Sequence, residues 1–169
     1  MSKTKIVGIM ALIVFALDIL LVGNAVAGES GKILIREVYY IPTVHTLKVP
    51  DMEGHTYILF EEKGIGFHEK WGNWLITLVG TGELKAEGTA TFQFHVHYTF
   101  PDGSTITFKA EGGSVPGRGI IGEPSAEGTA IPIKGTGKFQ GIQGRVAWKG
   151  YHLAPNQSYA YPELEYTLP

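Results

Sequence analysis

The chain has 169 residues, a formal net charge of −2, 44% hydrophobic residues and no cysteine. This excludes a disulfide-stapled scaffold, and the lack of any basic run argues against a nucleic-acid partner. Stability has to come from apolar burial and from a hydrogen-bond network without open sheet edges, which a closed barrel supplies.

The first residues read as an export signal. Lys3 and Lys5 precede an apolar stretch over residues 6–17, Asp18 interrupts it, and residues 19–22 lead into Ala25-Val26-Ala27. A charged start, a short apolar middle and a small-residue site make a secretory leader. A membrane-spanning helix wants about 20 apolar residues, and this run is shorter and carries an acid. Cleavage near Ala27 is expected, leaving residues 28–169 as one secreted or periplasmic domain with no stable membrane anchor. With no cysteine after the apolar run, a lipoprotein anchor is excluded.

From there a period of two dominates, the mark of half-buried strands. Strands are expected over residues 32–40, 55–62 and 74–84, with a further short strand over 64–70. In the first, Arg36, Val38 and Tyr40 share one face while Glu37, Tyr39 and Ile41 share the other. A carboxyl buried beside a tyrosine would have a raised pKa and act as an acid–base pair on a ligand. That makes Glu37, Tyr39 and Tyr40 the candidate catalytic residues. The competing reading is an ordinary cross-strand contact on the outer face.

The strand over residues 89–100 alternates most clearly, with Phe92, Phe94, Val96, Tyr98 and Phe100 on one face. Phe94 and Tyr98 are candidate ligand contacts. Pro101-Asp102-Gly103 then makes a three-residue hairpin loop, with Pro fixing φ, Asp bonding locally and Gly left-handed. This sets Tyr98 opposite Ile106, Val96 opposite Phe108, Phe94 opposite Ala110, His97 opposite Thr107 and His95 opposite Lys109. His95 and His97 have the spacing that places two imidazoles on one strand face for a metal, but no third ligand joins them and Lys109 faces His95. An exposed polar face is the alternative, and no metal or other cofactor is expected.

A glycine-rich loop is expected over residues 112–124, where Arg118 would clamp a carboxylate at the barrel mouth; the alternative is a solvated loop arginine. Strands are expected again over 128–133, 144–153 and 159–168, giving about eight in an all-β, single antiparallel barrel. Gly72-Asn73-Trp74 echoes the Gly-x-Trp of lipocalins, although two strands precede it, and Trp71, Trp74 and Trp148 also fit as core or end-closing aromatics. Neither a phosphate loop nor a G-x-S-x-G elbow is present.

Residues 135–144, Gly-Thr-Gly-Lys-Phe-Gln-Gly-Ile-Gln-Gly, read as a short helical turn that tucks Phe139 into one barrel end as a plug. Together with Phe100-Pro101-Asp102-Gly103-Ser104-Thr105-Ile106 and Gly88-Thr89, this segment resembles the allene oxide cyclase and dirigent superfamily of eight-stranded barrels. The resemblance covers most of the chain after about residue 74. It implies a small apolar ligand held in the barrel and cyclisation, isomerisation or stereochemical guidance by shape without a cofactor, and it favours a homodimer or homotrimer. Plant cyclases of the family carry an acid and, two residues on, an Asn in the first strand; Tyr40 and Pro42 stand at those places here. The alternatives are a non-catalytic structural or interaction barrel and a lipocalin-like carrier.

Overall fold

The computed structural model describes residues 28–115, 125–154 and 156–169. The expected leader and the loop segment that carries Arg118 lie outside the described residues. Ten strands account for most of the described chain: β1 (Ser30–Leu34), β2 (Arg36–Lys48), β3 (Thr56–His68), β4 (Gly72–Leu84), β5 (Ala90–Thr99), β6 (Thr105–Ser114), β7 (Ala126–Thr136), β8 (Gln143–Ala154), β9 (Gln157–Ala160) and β10 (Glu163–Thr167).

All pairings are antiparallel. Sequential neighbours pair from β2 through β8, β9 bridges β8 and β2, and β10 lies between β8 and β1. β1 and β2 are one stave interrupted at Ile35, and β9 and β10 are another interrupted at Tyr161-Pro162, where Ile35 N–H donates to the Pro162 carbonyl at 2.8 Å. The ten segments therefore form a closed eight-stave barrel, in which stretches such as residues 43–48 of β2 pair on one side only.

The hairpin from β5 to β6 has the expected register at every pair, Tyr98 with Ile106 and Val96 with Phe108 among them. Gly103 has φ +81° and the Ser104 amide donates to Asp102 Oδ1 at 3.0 Å, as the turn chemistry requires. Three expectations need correction. The short strand over 64–70 is not separate, because β3 runs unbroken from Thr56 to His68 against both neighbours. The first stave continues to Lys48, bending at a bulge between Tyr40 and Thr43. The glycines at 112 and 113 lie in β6, paired with β7, so the strand extends into the stretch expected to be loop.

One end of the barrel is solid. A 3₁₀ turn over Gly137–Phe139 carries Phe139 inward to 1% exposure, with ring centroids 4.5 Å from Phe100 and 4.9 Å from Trp71. The turn closes so tightly that a Cβ on Gly135 would lie 1.9 Å from the Phe139 carbonyl oxygen, so glycine is required there. Trp74, Tyr166 and Ile142 complete this plug. Full burial of each large apolar side chain contributes about 1.5–3 kcal/mol, and the aromatic edge-to-face contacts add to that.

Candidate lumenal site

The same inward alternation that packs the plug leaves a cavity of about 410 Å³ in the rest of the barrel. Along β5 the inward residues run from Phe100 in the plug through Tyr98, Val96, Phe94 and Phe92 to Ala90 at the opposite rim, and all except Phe100 line the cavity. The rim is formed by Ser114, Ala126, Gly150, Tyr151 and His152.

The floor is polar. Glu37 of β2 is 3% exposed and directly overlies the plug layer. Tyr39, two residues on and therefore on the same strand face, donates its hydroxyl to Glu37 Oε2 at 2.5 Å. Tyr98 reaches across the lumen from β5 and donates to Glu37 Oε1. Burial pushes the Glu37 carboxyl up to about 7, against the pull of the two phenol hydrogen bonds, and the nearby charge of Glu62 adds to the rise. Burial and the Glu37 charge hold both phenols well above the ordinary tyrosine range, so they remain donors. Glu62 of β3 also lines the cavity; burial raises its carboxyl to about 7.

The walls are aromatic. Phe60 meets Phe92 edge-on at 6.1 Å and Phe94 at 6.3 Å, and Phe94 meets Trp148 at 5.4 Å. Trp148 lies flat against the sheet because Gly112 and Gly128 oppose it: a Cβ on either would approach its ring to 2.4 or 2.7 Å. Its indole N–H donates to the Thr129 carbonyl at 3.3 Å.

Chemically, this is an apolar container with one proton-exchanging end. A carboxyl near neutrality, held by two donors, can give or take a proton at a ligand atom reaching the floor.

Of the residues expected from the sequence, Glu37, Tyr39, Phe94 and Tyr98 meet in the lumen. Tyr40 does not: it is 50% exposed on the face shared with Val38, outside the cavity, as its odd offset from Glu37 dictates. His95 and His97 also face outward, where His97 Nδ1 bonds Thr107 Oγ1 at 2.9 Å. Among the described residues no group of three metal-capable side chains occurs. Trp74, of the lipocalin-like Gly72-Asn73-Trp74, belongs to the plug. Sequence reasoning missed Glu62 and Trp148 as lining residues. Glu62 shares strand parity with Ile58 and Phe60, and this alternation was available as a signal. Trp148's place depends on glycines of two other strands, for which no local signal exists.

No family model and no curated protein matches the chain. Among solved structures, a protein of unknown function from Clostridium acetobutylicum ATCC 824 is similar over 81% of this chain and 97% of that one, with 12% identity and a TM-score of 0.56. The pterocarpan synthase dirigent protein GePTS1 is similar over 83% of this chain and 89% of that one, at 14% identity and a TM-score of 0.49. The pterocarpan synthase dirigent protein PsPTS1 is similar over 83% and 95%, at 10% identity and a TM-score of 0.48. What the chain has in common with the clostridial structure is its fold, a closed antiparallel β-barrel.

Proposed function

We propose that the chain is an exported barrel that binds a small, largely apolar molecule in its lumen, and that Glu37 is equipped for cofactor-free isomerisation or cyclisation by proton transfer. The observation that carries this reading is the Glu37 carboxyl, held by Tyr39 and Tyr98 at the floor of an otherwise apolar cavity of about 410 Å³. That volume lies in the range of small-molecule sites, where apolar walls supply affinity and a few convergent polar groups fix orientation. The leader pattern over residues 1–27 supports export.

Native mass spectrometry of the purified mature protein with neutral terpenoid and arylalkyl alcohols tests the binding. One-to-one complexes are expected, with quenching of Trp148 fluorescence that disappears in Trp148→Phe. If none of these probes binds, the reading fails. Turnover of a bound ligand, lost in Glu37→Gln with binding retained, separates an enzyme from a carrier of the lipocalin kind.

A further inference from the structure

The charge inventory of the cavity is one-sided. Its described lining contains two carboxyl groups, Glu37 and Glu62, and no lysine or arginine; the one basic side chain is His152, exposed at the rim. The other titratable groups facing the lumen are the phenols of Tyr39, Tyr98, Tyr151 and Tyr159. A carboxylate in apolar surroundings is unfavourable unless it is paired. Glu37 receives two neutral hydroxyl donors, and neither is a cation. Among the described residues no hydrogen bond or cation holds the Glu62 carboxyl down, and burial raises it.

The walls point independently to the same charge. Phe60, Phe92, Phe94 and Trp148 form a contiguous aromatic series around the cavity, edge-on between Phe60 and Phe92 and between Phe94 and Trp148 and tilted between Phe60 and Phe94. Aromatic faces attract desolvated ammonium groups through the ring quadrupole, and aromatic enclosures are a recurrent means of recognising alkylated ammonium. A metal cation would need several oxygen or nitrogen ligands together, and no group of three is present among the described residues.

We propose that the lumen takes a cationic apolar ligand, an alkyl- or arylalkyl-ammonium, with its charged head at Glu37 and Glu62 and its hydrocarbon body against the Phe60–Phe92–Phe94–Trp148 wall. This rests on the reading of the lumen as a ligand site and specifies the ligand's charge. A neutral ligand leaves the two lumenal carboxyls without a counter-charge, and an anionic one adds repulsion; an ammonium compensates one ionised carboxyl and displaces one proton, the other carboxyl keeping its own.

The test is calorimetric titration of the mature protein with three probes of one carbon skeleton: phenylbutylamine, phenylbutanol and phenylbutyrate. At about pH 8 the amine is expected to bind roughly tenfold or more tighter than the alcohol, with the carboxylate weakest. Glu62→Gln should lower the amine-to-alcohol affinity ratio roughly tenfold, with an unchanged circular dichroism spectrum showing that the variant is folded. At about pH 5, where both carboxyls hold protons, the amine's advantage should vanish. Equal or tighter binding of the alcohol, or an amine preference that survives Glu62→Gln, overturns the inference while leaving the ligand-binding reading intact. Binding of none of the three overturns both.

Discussion

The two ends of the barrel are built from the same alternating strands, yet one is solid and the other hollow. At the plugged end Trp71, Trp74, Phe100, Phe139 and Tyr166 are all 8% exposed or less. At the other end Ile58, Phe92, Phe94 and Trp148 are only partly buried, although their positions along the strands are equally inward. The difference lies in what faces them. Phe139 arrives on a turn from outside the barrel wall and fills the axis, whereas nothing among the described residues does so above Tyr98. In this barrel the inserted turn completes the core at one end, and where no such element enters, an eight-stave interior has room for one small ligand.

The contrast predicts unequal responses to truncation. Phe139→Ala should cost the most, about 3–5 kcal/mol, because it empties a fully packed site that several rings cannot refill. A chemical denaturation midpoint measures this; a loss below about 1 kcal/mol would mean that the two ends are not energetically distinct.

Next in size is an effect confined to the hollow half. The Glu37 carboxyl has an ordinary value of 4.5 and is raised to about 7 in the fold. Between those values the folded chain keeps a proton that the unfolded chain has released, so stability is highest below pH 4.5, declines as pH rises to about 7, and is flat above. For Glu37 alone the decline amounts to about 3 kcal/mol. Surface carboxyls such as Asp102, lowered by its hydrogen bond to Lys138, act in the opposite sense, but solvent screens them. Denaturation midpoints across this range should show the decline in the wild type and a shallower one in Glu37→Gln, the remainder carried by Glu62, whose carboxyl is also raised to about 7.

Phe94→Ala should cost less than Phe139→Ala, about 1–2 kcal/mol, because it loses mainly its contacts with Phe60 and Trp148 and borders space that is already open. The same substitution should weaken binding of apolar probes, which Phe139→Ala should leave largely intact in the folded fraction. The smallest change is expected for Tyr98→Phe, about 1 kcal/mol at neutral pH. It removes one donor from Glu37, so the carboxyl should titrate higher still, visible as a shift of the pH profile to higher pH.

Much of this was legible from local chemistry. The Pro101-Asp102-Gly103 loop fixed the register of β5 and β6, since the length of a tight turn leaves one pairing. Period two placed Glu37 with Tyr39 and apart from Tyr40. The glycine-spaced turn around Phe139 announced an inserted aromatic, because Gly135 and Gly137 hold conformations and contacts that other residues cannot. The extension of β3 through Gly64 and Gly66 was harder to read, as glycines usually interrupt strands. Here they admit Tyr39 and Trp74, whose rings lie over them.

The sequence by itself determined the all-β class, the alternation of faces and the plug, all of which follow from turn geometry and from side-chain direction along one strand. Only the tertiary structure decided that the face carrying Glu37 is the inner one, that Tyr98 closes on it from three staves away, and that Glu62 shares its cavity. The physical reason is that a strand's two faces are equivalent until the barrel closes. Closure then selects the face whose polar atoms find partners across the lumen, and those partners are far apart in the chain.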